Sequence, residues 1–254
     1  MDLEEAEAKD VLRQAGIRVP PGEVCRDADA VAAAAARLGR SAVKAQVPAG
    51  KRGRAGGIRL VDGPDEAHAA AAAILGMEIA GHRVERVLVE KCADIAQELY
   101  LAVLNDVATR GPMLLFSPSG GMDIEEMAGS VVRIPVDLDK GLKDVRLPLD
   151  QDVADLAALL YDLYLQTDAE LLEVNPLVRL KGGGLLALDC KLTVDDAALY
   201  RQPELAQKGA RENLTELERR ARELGLKYIE LPGNVGVLAN GAGLTMTTMD
   251  VIEH

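Results

Sequence analysis

A run of glycines and cations in the first quarter of the chain is the clearest chemical feature of the sequence. Residues 50–57 read Gly-Lys-Arg-Gly-Arg-Ala-Gly-Gly, so four glycines and three cations share eight positions. Glycines let a backbone approach an anion closely, and the cations attract it. Lys44 precedes this loop in an otherwise apolar stretch, where an ammonium needs a fixed anionic partner. The pattern predicts polyphosphate binding; an exposed hairpin tip with a lysine at a strand edge is the open alternative.

A second group of polar residues follows much later in the chain. Glu173-Val174-Asn175-Pro176 and Asp189 lie on either side of a glycine turn near Gly183. A hairpin with this turn brings positions 175 and 189 almost opposite one another, so that their oxygens can face the same side, depending on the register. Carboxylate and amide oxygens suit Mg²⁺, which takes few protein ligands plus phosphates and water. Ordinary turn and capping roles are the alternative, but the cationic loop and this hairpin together favour a nucleotide–Mg²⁺ site.

Two further carboxylates, Glu90 and Glu98, flank a predicted strand end. Such a pair can bind ribose hydroxyls or a purine edge, and it can equally be a solvated chain crossing. Their spacing does not decide between these two interpretations.

The sequence offers no evident nucleophile. Its three histidines, His68, His82 and His254, lie away from the glycine-rich and acidic groups, and no cysteine has an evident basic partner that would activate its thiol. There is no Gly-x-Ser-x-Gly motif, and the lysine loop lacks the Gly-Lys-Ser/Thr of a P-loop. We therefore assign no catalytic residue and expect covalent chemistry to involve another chain.

Composition narrows the class of protein. The 254 residues carry a formal charge of −12, which opposes nucleic acid as a main partner. The hydrophobic fraction is 48%, typical of a folded domain, although aromatics contribute only 2%. Three widely spaced cysteines indicate a reducing compartment, and an acidic N-terminus with no long apolar run argues against a leader or a membrane span. We expect a cytoplasmic α/β protein.

Alternating helical and strand patterns predict the elements that position these residues. The predicted helices cover Glu4 to Gln14, Asp27 to Leu38, Pro64 to Leu75, Asp152 to Leu165 and Leu214 to Leu224. The predicted strands cover Ala42–Val47, Ile58–Val61, Arg86–Glu90, Leu99–Leu104, Met113–Phe116, Glu170–Val174, Leu177–Leu180, Leu185–Leu188 and Val235–Ala239. The last strand leads into a glycine turn and a helix start, which we interpret as the opening of a truncated βαβ unit.

Ordered motifs along nearly the whole chain resemble the β subunits of ADP-forming succinate–CoA ligases. The matching segments are Glu5-Ala6-Glu7-Ala8-Lys9, Gly16–Pro20, Val43–Val47, Arg52–Gly57, Asp94–Tyr100, Gly120–Glu125, Glu173–Leu177, Ala198–Pro203, Gly233–Gly236 and Asn240–Leu244. Each motif alone is weak, whereas their common order is specific.

The resemblance implies an α/β chain with an ATP-grasp fold of two α/β subdomains. It places the ATP-grasp domain at residues 1–226, with a small subdomain at about 18–92 inserted in the larger one. Residues 227–254 would then be the first strand and helix start of a truncated C-terminal CoA-ligase domain.

The resemblance also implies roles for single residues. Lys44 and the loop Lys51-Arg52-Gly53 would contact phosphates, and Glu90, Ala93 and Glu98 would lie on the adenosine side. The implied Mg²⁺ ligands are Asn175 and Asp189, and Asn240 would contact the organic acid. The γ-phosphate of ATP, or of GTP, would pass to a histidine of a partner α subunit, which also carries the CoA site. Succinate would then take the phosphate as an acyl phosphate, and CoA would displace it.

Two departures and several alternatives accompany this interpretation. Pro48 stands where the family commonly has His, and Lys51 where it has Gly, so loop closure and nucleotide affinity are expected to differ. Malate–CoA ligase β subunits share the motifs, ATP citrate lyase shares the fold, and a carboxylase-type ATP-grasp enzyme fits the order of motifs less well. A nucleotide-binding or scaffold fragment without turnover is the alternative outside the enzymes.

Overall fold

The first helix of the chain is α1 (Glu5–Gln14). The computed structural model describes residues 1–121, 131–142, 149–210 and 215–253, and the chain divides into two units, Met1–Arg211 and Glu212–His254. Residues Met122–Glu125 of the Gly120 motif, the first residue of the predicted helix at Leu214, and His254 lie outside the described residues.

A four-stranded antiparallel sheet and two helices form the smaller layer of the first unit. Its elements in chain order are β1 (Gly22–Cys25), α2 (Ala28–Leu38), β2 (Ser41–Ala45), β3 (Ile58–Val61), α3 (Pro64–Ile74), the short pair β4 (Glu78–Ile79) and β5 (His82–Arg83), and β6 (Val87–Lys91). The strand order is β1-β6-β2-β3. Alanines of α2 and α3 pack against Val43, Val87 and Val89 on one sheet face. Because alanine is small, both helices lie close to the sheet without aromatic side chains.

The larger sheet is also antiparallel, with the order β11-β10-β7-β8-β9 and β12 paired to β10. Its elements are β7 (Ile95–Asp106), β8 (Gly111–Ser117), β9 (Val132–Pro135), α4 (Gln151–Gln166), β10 (Ala169–Leu180), β11 (Leu185–Ala187) and β12 (Lys191–Val194). A 3₁₀ helix at Asp196–Arg201 and α5 (Pro203–Lys208) follow. The apolar sides of α1 and α4 cover this sheet, and Leu12, Leu160 and Leu172 are fully buried between them.

Most predicted elements form within one or two residues of their predicted ends. Asp27 caps α2 by accepting a hydrogen bond from Ala30 N at 2.8 Å, as the capping pattern indicates. The prediction of separate strands at Glu170–Val174 and Leu177–Leu180 was wrong, because β10 runs through both. Its pairing with β7 shifts register between Val174 and Leu177, so the missing N–H of Pro176 falls in this irregularity.

The second unit contains α6 (Glu216–Glu223) and α7 (Ala242–Glu253). Thr215 and Glu218 form a capping box at the start of α6. The strand predicted at Val235–Ala239 was wrong, because within the described residues 215–253 no strand lies beside it to supply ladder hydrogen bonds. Within the described part of the chain, no helix combines the length and apolar character that crossing a membrane requires.

Candidate functional site

The glycine-rich loop between β2 and β3 borders a cavity of about 500 Å³. Loop residues 47–54 line one side, and Glu173, Asn175 and Asp189 line another. Gly57 O accepts from Ala45 N at 2.7 Å, which joins the end of the loop to β2, and Arg52 O accepts from Gly57 N at 2.9 Å within the loop. A Cβ on Gly57 would lie 2.6 Å from Ile79 Cδ1 and 3.1 Å from Ala45 Cβ. Glycine at this position therefore lets the loop pack closely.

The inner edge of the cavity adjoins a group of interacting charges, here named the charge cluster. It consists of Glu5, Lys9, Lys44, Arg52, Glu90 and Asp189. Alternation along antiparallel β2 and β6 sets Lys44 and Glu90 on one sheet face, opposite the face that packs on α2 and α3. Helix α1 contributes Glu5 and Lys9 one turn apart.

Glu5 has the largest number of cationic neighbours in the charge cluster. Its Oε1 accepts from Lys9 Nζ at 2.6 Å and from Lys44 Nζ at 2.7 Å. Its Oε2 lies 2.7 Å from Arg52 Nη1, an ion-pair contact in which the same nitrogen donates to Ala45 O. The Glu5 side chain is only 1% exposed, so its charge depends on these three cations.

The two lysines share a second carboxylate and one carbonyl. Lys9 Nζ donates to both oxygens of Glu90, and Lys44 Nζ lies 2.7 Å from Glu90 Oε2. Both ammonium groups also donate to Leu188 O at 2.7 Å. Within the described residues the fixed anionic partners of Lys44 are the carboxylates of Glu5 and Glu90. The polyphosphate contact of Lys44 stays a prediction.

The pKa shifts follow from this arrangement. Burial opposes the charge of Glu5, but Lys44, Lys9 and Arg52 outweigh it and hold the pKa of Glu5 well below its usual range. Burial likewise disfavours the charge of Lys44, yet Glu5, Glu90 and Asp189 raise its pKa. Burial and the nearby Glu5 raise the pKa of Asp189 despite its cationic neighbours. The cluster thus favours the charged forms of Glu5 and Lys44, which burial alone would disfavour, whereas at Asp189 burial and Glu5 outweigh the cations.

The hairpin of β10 and β11 brings Asn175 and Asp189 to the same cavity. Leu177 pairs with Ala187, and Leu188 N donates to Pro176 O at 3.0 Å, so the register continued by two residues sets 175 opposite 189. This confirms the predicted register. Asp189 accepts from Arg52 Nη2 at 2.9 and 2.8 Å, and Asn175 Oδ1 accepts from Gly121 N at 2.8 Å.

The oxygen donors of this hairpin fit a magnesium ion. One carboxylate and one amide oxygen face a cavity with room for phosphate and water, which is the donor set that Mg²⁺ prefers. Among the described residues, no three His, Cys, Asp or Glu side chains form a complete protein cage for a metal. A shared protein–phosphate coordination is therefore the arrangement that these residues suit.

Comparison with known proteins assigns the chain to a family. A model of the ATP-grasp domain matches residues 2–179. Over its whole length the chain is 44% identical to a succinate–CoA ligase [ADP-forming] subunit β of Rubrobacter xylanophilus and covers 70% of that protein. The corresponding proteins of Chloroflexus aurantiacus and Pyrobaculum arsenaticum are 42% and 38% identical. The chain belongs to the succinate–CoA ligase β-subunit family.

Solved structures agree with the ATP-grasp fold of this family. An ATP citrate lyase from Methanothrix soehngenii, in complex with citrate and coenzyme A, superposes with a TM-score of 0.69 at 23% identity. The alignment covers 88% of this chain and 59% of that one. A dinucleotide-forming acetyl-coenzyme A synthetase 1 from Ca. Korarchaeum cryptofilum gives 0.64 at 19% identity, covering 76% and 93%. At these identities the likeness supports the fold alone.

The remaining residues implied by the succinate–CoA ligase resemblance lie in three places. Lys51 and Gly53 line the cavity, and Lys51 adopts a φ of 59°. Ala93 lies in the connection between β6 and β7. Glu98, on β7, approaches Gly121, where an added Cβ would lie 2.1 Å from Glu98 Oε2.

Asn240 lies in the second unit, just before α7. Its proposed contact with the organic acid, like the nucleotide and metal roles of the other residues, stays a prediction. The domain boundaries at 18, 92 and 226 stay predictions as well.

Sequence reasoning missed Glu5 and Lys9 as site residues, although both stand in the first motif of the β-subunit resemblance. The signal was present: Glu5, Lys9 and Leu12 recur at helical spacing, so two charges share the buried side of α1 with a core leucine. A charged pair on the apolar side of a helix indicates a buried partner elsewhere in the chain.

Proposed function

We propose that this chain is the nucleotide-binding portion of an ADP-forming succinate–CoA ligase β subunit. It would use ATP and Mg²⁺ to phosphorylate a histidine on a partner α subunit, which then passes the phosphate to succinate before CoA displaces it. The observation that carries the proposal is the cavity where Arg52 of the glycine loop meets Asn175 and Asp189 of the hairpin. The names of the full-length relatives favour succinate over malate and ATP over GTP.

The chain's own residues suit the binding and orientation that phosphoryl transfer requires. Arg52 and the glycine-rich backbone would hold phosphate oxygens, and Lys44 would neutralise their charge. Asn175 and Asp189 would hold Mg²⁺, which supplies further neutralisation of the phosphates when bound. The loop and hairpin are anchored to different sheets of one unit, so a nucleotide between them would have its phosphates fixed from two sides.

The need for an α subunit is supported by the chemistry of the cavity wall. His68 and His82 lie on α3 and β5, and neither is among the described residues that line the cavity. Cys190 does line it, but burial and the charge of Asp189 raise the pKa of its thiol well above the usual range. A protonated thiol is a poor nucleophile, so we propose that the phosphorylated group comes from the partner. The three free cysteines support a reducing, cytoplasmic location as part of the same proposal.

Isothermal calorimetry with ATP and GTP, with and without Mg²⁺, tests the proposal. We expect Mg²⁺-dependent ATP binding that is lost in Lys44→Met and Asp189→Asn. Lys91→Met is the matched control, since Lys91 is an exposed lysine on the strand that carries Glu90. Loss of binding in the control, or undiminished binding in both site variants, would contradict the assigned site. Adding the α subunit, succinate and CoA then tests turnover.

A further inference from the structure

The charge cluster contains equal numbers of opposite charges, so its cations are already neutralised. Lys9, Lys44 and Arg52 face Glu5, Glu90 and Asp189 at contact distances of 2.6 to 2.8 Å. A polyphosphate that is to bind Lys44 and Arg52 must therefore take them from carboxylates that hold them. The positions of the carboxylates relative to the cavity indicate which of them releases its cations.

Glu5 lies between the cavity and the buried lysines. Glu5 and Arg52 are among the described residues that line the cavity, whereas Lys9, Lys44 and Glu90 are not. Glu5 is also the carboxylate that contacts both Lys44 and Arg52, the two cations assigned to phosphate. A phosphate oxygen and a carboxylate oxygen accept the same charge-assisted hydrogen bonds, so one can replace the other at these cations.

Lys9 remains an ion-pair partner of Glu5 once Glu5 has released Lys44 and Arg52. Its ammonium lies 2.6 Å from Glu5 Oε1 one helical turn away, and its side chain is only 2% exposed. A buried carboxylate that lost all its cations would be strongly destabilised. Because Lys9 lies beside it, Glu5 keeps one ion pair after Lys44 and Arg52 have bound another anion.

We infer that Glu5 is a positioning residue that acts as an internal counter-anion, holding Lys44 and Arg52 until the polyphosphate of a nucleotide replaces it, while Lys9 retains Glu5. This inference rests on the proposed nucleotide site, and it states how phosphate binding at that site is regulated. Asp189 also accepts from Arg52, and it would release Arg52 in the same exchange if its oxygens held a divalent cation instead. The occupied and empty sites thus use the same cations with different anions.

The inference predicts opposite effects for the two partners on α1. Glu5→Gln removes the competing anion, so binding of ATP and of inorganic tripolyphosphate is expected to tighten by roughly tenfold, the scale of one charge-assisted hydrogen bond. Lys9→Met leaves Glu5 held only by Lys44 and Arg52, so binding is expected to weaken. Glu5→Asp keeps the charge but shortens its reach, and it should lie between Glu5→Gln and wild type.

Calorimetry on the full chain and the three variants tests this order of affinities, with thermal unfolding to verify folding. Glu4→Gln is the matched control: Glu4 precedes Glu5, pairs with Arg86 and is not among the described residues lining the cavity. The expected order is Glu5→Gln tightest, then Glu5→Asp, wild type with the control, and Lys9→Met weakest. If one variant fails to fold, the order of the remaining chains still decides.

The possible failures are distinguishable. Wild-type binding with Glu5→Gln equal or weaker overturns the inference and leaves the nucleotide site intact. Tighter ATP binding without tighter tripolyphosphate binding also overturns it, since the effect then arises away from the phosphates. Binding by Glu5→Gln alone overturns the inference, because the polyphosphate then fails to replace Glu5 in the wild-type chain, although it still supports a phosphate site at these cations. No binding by any folded chain contradicts the proposed function and the inference with it.

Discussion

The first unit uses carboxylate–cation contacts of similar length in two opposite environments. In the charge cluster, Lys9 and Glu5 meet at 2.6 Å with side chains 2% and 1% exposed. At the junction of α4 and β10, Arg201 and Asp168 also meet at 2.6 Å, with side chains 53% and 20% exposed. Water solvates the second pair whether or not it forms, whereas the first pair has lost that alternative.

This difference in exposure indicates that the Arg201–Asp168 pair has a structural role only, whereas the charge cluster does not. A solvent-exposed pair can join loop and strand ends at little cost. Six buried or half-buried charges beside a cavity carry a large desolvation cost that apolar residues of similar volume would avoid. Because these charges lie next to a cationic glycine loop, we propose that their role is to bind the ligand of the cavity.

The largest expected effect comes from removing one buried partner. Lys9→Met leaves Glu5 and Glu90 with fewer cations in a site that is almost closed to water. We expect the free energy of unfolding to fall by about 3–5 kcal/mol, measured by urea denaturation at neutral pH. A loss below about 1 kcal/mol would place the cluster in the same energetic class as an exposed pair.

The next largest effect is expected for the coupling between Glu5 and Lys9, which a double-mutant cycle measures. Glu5→Gln combined with Lys9→Met removes one charge of each sign, so two cations again face two carboxylates. The double variant should therefore be more stable than the sum of the single losses indicates, with a coupling of about 1–3 kcal/mol. Additive losses would mean that the two side chains act on stability independently.

The charge cluster and the Arg201–Asp168 pair are expected to differ in how their contributions to the free energy of unfolding depend on pH. Because the folded-state pKa of Glu5 is depressed, its contribution is present above the unfolded value of about 4.3 and is lost as the pH falls through the folded value. The stability difference between wild type and Glu5→Gln should therefore shrink below about pH 4. An undiminished difference at pH 3 would show that the charge of Glu5 is not what stabilises the fold.

For Asp168, hydrogen bonds from Arg201 and Gln202 lower the pKa to about 2. Its contribution is therefore present above about pH 3.9 and is lost between that value and about pH 2. Asp168→Asn should show a smaller difference from wild type at neutral pH than Glu5→Gln, measured under the same denaturation conditions.

The smallest effect is expected for Arg201→Ala. The Arg201 side chain is more than half exposed, and its guanidinium lies over the ring of Tyr200, a residue that is 79% exposed. We expect no resolvable change in the midpoint of thermal unfolding and no change in nucleotide affinity. A destabilisation comparable to that of Lys9→Met would remove the distinction between the two networks.

The parts of the site that depend on local pattern were predictable from the sequence. Strand alternation and a glycine turn set Asn175 opposite Asp189, because hairpin register follows from turn position and a period of two. The loop at residues 50–57 was evident from composition. Both features lie within short stretches of chain, where sequence distance and spatial distance agree.

The parts that depend on tertiary packing were not predictable in the same way. Glu5 and Lys9 form a pair at i and i+4, which on most helices is a surface interaction; only the packing of α1 between two sheets makes it buried. The single strand β10 was divided in two because Pro176 cannot donate to a ladder, and the ladder avoids that loss through a local shift in register. The strand predicted at Val235–Ala239 failed because apolar alternation specifies a strand only where a partner strand is available.

The Leu188 carbonyl, which accepts from both lysines, has a consequence for the time course of folding. Lys9 reaches it across 179 residues of sequence and Lys44 across 144. Contacts between such distant segments form after local helices and hairpins, since the chain must first lose the entropy of closing long loops. Substitutions in the cluster should then leave the refolding rate nearly unchanged and accelerate unfolding. The cluster would thus govern how long the native state persists rather than how quickly it is reached.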